Sequence, residues 1–106
     1  MMIDALEKLL NGPRDGALLR FSLGNAHLQA GHLMEAIQYF QDTLAHDPHY
    51  SAAWKALGKT LTAAGKPDAA LEAYRQGIQV AEDKGDKQAA KEMRVFAKRI
   101  EKSAPI

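Results

Sequence analysis

The sequence predicts an all-α chain of about six helices joined in antiparallel pairs, and three observations carry that prediction. No run of alternating β-branched residues occurs, while alanine and leucine dominate the apolar set. Apolar residues recur three and four apart in segments punctuated by glycine or proline. Several positions also return after a constant step of 34 residues.

Each element has its own justification. Ile3, Leu6 and Leu10 mark one face of an opening helix over 2–11, which Asn11-Gly12-Pro13 ends. Asp15 is the expected N-cap of a second helix running to Ala30, where Gly31 tolerates the left-handed C′ conformation. A third helix, Leu33 to His46, shows Leu33, Ile37, Phe40 and Leu44 on one face. Pro48 then blocks continuation, because proline lacks an amide proton and clashes with the preceding turn. The fourth helix, Ser51 to Ala64, displays Trp54, Leu57 and Leu61 and stops at Gly65. Pro67 opens the fifth, where its missing donor is harmless, and Ala70, Leu71, Tyr74 and Ile78 follow. The sixth, over 87–102, carries Ala89, Met93, Phe96 and Ile100 as a stripe, with Lys91, Arg94, Lys98 and Lys102 facing away. Ser103 to Ile106 is expected to form a loose tail.

Composition sets outer bounds. A chain of 106 residues, 46% hydrophobic and 25% charged, suits one globular domain over 1–106. The absence of cysteine excludes disulfides and thiolate chemistry and fits a reducing compartment, so a cytoplasmic location is expected. No apolar run approaches the ~20 residues of a membrane span. The start, MMIDALEKLL, carries Asp4 and no basic flank, so it does not read as a secretion signal. The net charge of +1 hides an asymmetry. Residues 1–50 hold three Lys/Arg against six Asp/Glu, whereas residues 51–106 hold eleven against seven. The basic half can attract an acidic peptide or neighbouring subunit, but its excess is thin for nucleic acid, and a solvated face is the plainer reading.

The 34-residue step joins Leu23-Gly24 to Leu57-Gly58, Gly31 to Gly65 and Ala36 to Ala70, with Phe40/Tyr74 and Leu44/Ile78 matched in kind. In a helix–turn–helix unit this pattern resembles the tetratricopeptide repeat, whose signature is Trp, Leu-Gly, Tyr, then Ala, an aromatic and Pro. The first repeat is assigned to 17–50 and the second to 51–84. Some positions depart from the pattern. Arg20 stands where the Trp belongs, Thr43 and Gly77 replace an Ala, and Glu82 replaces the second Pro. The resemblance implies a right-handed superhelical array of antiparallel helix pairs, an α-solenoid. The opening and closing helices then cover its two ends, because two repeats alone are marginal. Each Leu-Gly glycine costs about 1 kcal/mol of helix propensity relative to alanine. That cost implies a close approach to the facing helix, with Ala36 and Ala70 expected opposite and Trp54 filling the gap beside an aromatic of the second helix.

The resemblance also implies a concave groove, lined by the first helix of each repeat, that holds a peptide segment of a partner protein. Carried onto this chain, the groove positions are Leu18, Phe21, Asn25 and Leu28, then Ala52, Lys55, Lys59 and Thr62. Asn25 offers both a donor and an acceptor to an extended peptide. Lys55 and Lys59 sit four apart on one helical face, where they suit an acidic side chain or terminal carboxylate. The match to the family's carboxylate clamp is partial, since Phe21 stands where the clamp has lysine. A second reading buries Phe21 and Leu28 beneath the opening helix and leaves the lysines as solvated surface.

No catalytic constellation emerges, and no enzyme activity, cofactor or metal is expected. His46 and His49 straddle Asp47-Pro48 and share no helical face, while His27, at a family Tyr position, reads as a packed core residue. The functional expectation is therefore an interaction module, monomeric or weakly self-associating, for a protein or peptide partner, with an acidic segment among those the lysines suit. The alternative is an assembly protein that pairs through apolar patches on its terminal helices.

Overall fold

A computed structural model describes residues 2–103. Its described residues form α1 (Met2–Glu7), α2 (Ala17–Gln29), α3 (Leu33–His46), α4 (Ser51–Ala63), α5 (Pro67–Lys84) and α6 (Lys87–Ser103). No strand occurs among them. Three expectations need correction. The opening helix ends at Glu7 instead of reaching residue 11, because the next amides close tighter i→i+3 turns, Leu9 N–H to Leu6 O and Leu10 N–H to Glu7 O. Asp15 does not cap α2, whose N-cap is Gly16 with no side-chain bond. Finally, Ser103 belongs to α6, its hydroxyl donating to Arg99 O at 2.8 Å, while the remainder of the expected tail lies outside the described residues.

The two intra-repeat turns are built alike. Gly31 and Gly65 take φ of 81° and 74°, a region that L side chains avoid. That left-handed residue lets His32 N–H reach back to His27 O, and Lys66 N–H to Leu61 O, each at 2.9 Å. Carbonyls at each helix end are satisfied this way, and the chain reverses.

Sequential helices pack against each other throughout, and α2 also touches α4 while α4 touches α6. The second helices, α3 and α5, make no comparable contact. A layer that is continuous on one side and splayed on the other must curve, so α2, α4 and α6 line the inner face. The core between the layers contains Leu23, Ala36, Phe40, Ala53, Ala70, Tyr74, Ala81, Ala90 and Met93, all buried.

The repeated glycines make room for rings, not for a facing alanine. A Cβ built on Gly24 meets Phe40 Cε1 at 2.5 Å, and one built on Gly58 collides with the ring of Tyr74. Ala36 and Ala70 are fully buried, but the aromatic one turn further on fills the notch. Trp54 is half-buried and packs against the core. Its Cβ backs onto Gly77, where an added methyl would lie 2.6 Å from it and 2.5 Å from Met93 Sδ. The indole N–H donates to Pro48 O at 2.9 Å, pinning the turn between the repeats. Tyr74 pairs with Phe96, ring centroids 5.7 Å apart.

The departures from the repeat pattern have local reasons. Gly77 admits Met93 of the last helix, and Glu82 forms an ion pair with Arg94. Thr43 is fully buried and returns its hydroxyl to Tyr39 O at 2.8 Å. Arg20 replaces the packing of a Trp by an ionic clamp. Its Nη2 lies 2.8 Å from Asp15, Nε is 3.0 Å from the same carboxylate, and Nη1 is 3.2 Å from Asp42 on α3. This two-pronged contact explains why Asp15 turns away from the α2 terminus.

The Arg20 hydrogen bond, helped by the Asn11 amide, holds the Asp15 carboxyl well below the usual carboxylate range. A carboxyl depressed in the folded state contributes stability above its unfolded value near pH 4 and loses it as pH falls further. Denaturation midpoints in urea should therefore drop between pH 5 and pH 2 more steeply for the native chain than for Asp15→Asn. Equal slopes would remove this ion pair from the acid response.

Candidate functional site

The inner face brings together some of the expected groove residues and separates others. Leu18 is 70% exposed at the start of α2. Phe21 is half-buried against Phe40 and Tyr50, with ring centroids at 5.8 and 4.9 Å, so its cover comes from α3 and the inter-repeat turn. The expectation that α1 buries it is not needed, since α1 packs on α2 and is tied by Glu7 to Tyr39. Leu28 is also half-buried against the core, and Asn25 is partly exposed with no side-chain hydrogen bond among the described residues. This first-repeat end of the face is apolar.

The second-repeat end is different. Lys55 and Lys59 do not act as a matched pair. Lys55 Nζ lies 3.4 Å from Glu92 Oε1 of α6, which compensates its charge. Lys59 is exposed and sits over the Phe96 ring at 5.7 Å, and Arg99 approaches the same ring at 5.7 Å. Among the described residues no carboxylate lies within ion-pair distance of Lys59 or Arg99.

Those two cations rim a cavity of about 380 Å³ between α4 and α6. Thr62, Tyr74, Phe96 and Ile100 supply most of its wall. Burial pushes the Tyr74 phenol up, against a smaller opposing effect of Thr62, so it remains a neutral hydroxyl. Thr62 Oγ1 donates to Gly58 O at 2.8 Å. An apolar wall beneath two uncompensated cations can hold an anionic group attached to an apolar body.

Sequence reasoning missed Arg99 and assigned Phe96 only to the buried stripe. The available signal was their i, i+3 spacing, which puts both on one face of the last helix. Nothing in the sequence showed that this face borders the groove.

The tetratricopeptide repeat family model matches residues 21–89. A TPR repeat-containing protein of Pseudomonas aeruginosa is 47% identical over 103 residues, spanning 97% of this chain and 98% of that protein. The solution structure of a Bordetella parapertussis protein superposes with a TM-score of 0.84 at 36% identity, covering 96% of this chain and 89% of that one. A tetratricopeptide repeat domain protein of Salinibacter ruber gives a TM-score of 0.81 at 26% identity, covering 91% and 96% respectively. With the 34-residue step, the Leu-Gly notches and the curved inner face, these likenesses lead to one conclusion: the chain belongs to the tetratricopeptide repeat family.

Proposed function

We propose that this chain is a protein–protein interaction module whose inner face holds a peptide segment of a partner, anchored at the cavity between α4 and α6. The observation that carries this reading is the pair Lys59 and Arg99, two cations without carboxylate partners above an aromatic and aliphatic wall. The segment that fits presents an acidic residue beside a bulky apolar one, and its flank runs toward Asn25, Phe21 and Leu28. Lys55 contributes less than its sequence position suggests, because Glu92 already satisfies it. Family members are generally interaction modules and not enzymes, and no residue of this face forms a nucleophile–base pair. No described helix is long and apolar enough to cross a membrane.

Fluorescence anisotropy with labelled acidic peptides that carry Leu or Phe next to Asp or Glu tests the anchor. Lys59→Glu/Arg99→Glu should weaken binding by at least about tenfold, corresponding to 1.4 kcal/mol or more, whereas Lys55→Glu should change it little. An unchanged affinity in the double variant, with helicity intact, removes the cavity from the reading. The 70% exposure of Leu18 favours a second reading, self-association through the apolar end of the face. Sedimentation across a concentration range separates the two, since a monomer at high concentration leaves only the peptide.

A further inference from the structure

Away from the groove, on the flank where α1 crosses α2, two imidazoles converge. His27 Nδ1 lies 3.0 Å from His32 Nδ1, with the rings inclined at 47°. His27 is buried near the end of α2, and His32 is exposed at the turn that Gly31 forms. The second nitrogen of His27, Nε2, is buried and lacks a hydrogen-bond partner. It faces Glu7 Oε2 of α1 at 3.6 Å. That carboxylate oxygen accepts a hydrogen bond from the Tyr39 hydroxyl at 2.9 Å, and the Tyr39 ring stacks on His27 with an interplanar angle of 17°. Burial, with Glu7 second, pushes Tyr39 up to about 12, so it stays a donor throughout the neutral range.

We propose that His27 and His32 form a two-imidazole site for Cu²⁺ or Ni²⁺, with Glu7 orienting His27 from behind. A direct contact between the Nδ1 atoms requires one of them to donate. When His27 donates, the lone pair on its buried Nε2 points at a carboxylate and stays unpaired. The favoured form therefore has His32 donating and the proton of His27 on Nε2, toward Glu7. That tautomer already turns the His27 Nδ1 lone pair toward His32, and a metal ion that displaces the shared His32 proton binds both Nδ1 atoms without changing it. Each ring is then neutral with its proton on Nε2, and His27 Nε2–H points at Glu7. A small approach of the two groups from 3.6 Å gives the carboxylate–histidine–metal arrangement by which a protein sets a ligand's tautomer and basicity. Tyr39 in turn holds Glu7, and the stacked ring fixes the imidazole plane.

The separation also selects the ion. Two bonds of about 2.0–2.1 Å whose ends are 3.0 Å apart meet at nearly a right angle. That suits adjacent positions of a tetragonal ion better than a tetrahedral one, which favours Cu²⁺ or Ni²⁺ over Zn²⁺. No group of three or more metal-ligating side chains occurs among the described residues, so water takes the remaining positions. Exposed His32 leaves the approach open to solvent. The site uses none of the groove residues, so its fate is independent of the peptide reading.

Isothermal titration of the full chain with CuCl₂ and NiCl₂, with electron paramagnetic resonance of the Cu²⁺ form, tests the site. His32→Ala should lower affinity at least tenfold and reduce the nitrogen hyperfine pattern from two imidazoles to one. Its exposed position leaves the fold unaffected, as circular dichroism will verify. Glu7→Gln should cost about 10-fold or somewhat more while preserving both nitrogens, because Glu7 acts as a positioning residue. His46→Ala/His49→Ala, exposed histidines at the end of α3 and in the turn after it, should bind as the native chain does. Equal binding by the native chain and His32→Ala overturns the proposal, as does loss of binding in the His46/His49 variant. The close Nδ1 pair is then a hydrogen bond sharing one proton.

Discussion

Gly58→Ala should destabilise the protein by about 2 kcal/mol, although alanine is the better helix former. Two effects oppose each other. Helix propensity favours alanine by about 1 kcal/mol in a helix interior. Against it, the new Cβ lands on the Tyr74 ring, contacting Cε1, Cζ and Cδ1. Tyr74 is only 2% exposed and cannot swing aside, so α4 and α5 must part. Overpacking of this kind costs about 1–3 kcal/mol and occasionally more, and the rigid ring puts this site at the upper end. Gly24→Ala should behave alike against Phe40, which is fully buried. Urea denaturation followed by far-ultraviolet circular dichroism measures both. Tyr74→Leu, costly in the native background, should recover part of the loss in Gly58→Ala, and that coupling identifies the ring as the cause. A Gly58→Ala protein more stable than the native chain would mean that no ring fills the notch.

Ending the chain after Asp86 should abolish cooperative unfolding. This deletion removes Ala90, Met93, Ala97 and Ile100 from the core and uncovers Tyr74 and Gly77. Met93 is fully buried, and losing a side chain of that size costs about 2–5 kcal/mol by itself. Together the four removed contacts rival the ~5–15 kcal/mol that stabilises an ordinary domain. Deleting residues 1–8 should cost far less, because α1 buries none of its residues and meets mainly α2. Thermal melts of the two shortened proteins give a direct comparison. A sharp transition in the chain lacking α6 would show that the two repeats are stable without a cap.

The contrast between the ends shows how far the sequence could be read. The end of α3 and the start of α5 follow from local rules alone, since Pro48 cannot continue a helix and Pro67 suits a first helical position. The opening segment misled because Ile3, Leu6 and Leu10 keep helical spacing, yet too little packs on α1 to hold a longer helix against tighter turns. Asp15 misled for a similar reason. An aspartate before a helix is a good cap in isolation, but a guanidinium one turn away binds it better.

Residue spacing by itself determined that this chain is helical, that its hairpins recur every 34 residues and that glycines 24 and 58 mark a tight contact. Those properties depend on backbone preferences and on one helix's own faces, which are written in neighbouring residues. Only the tertiary arrangement decided that Glu92 takes Lys55, that Arg99 joins Lys59 around Phe96, and that His32 folds back onto His27. The first two depend on how α6 crosses α4, and the last on the direction in which one turn reverses the chain. The position of a charge relative to another helix is set by that packing, and no local pattern encodes it.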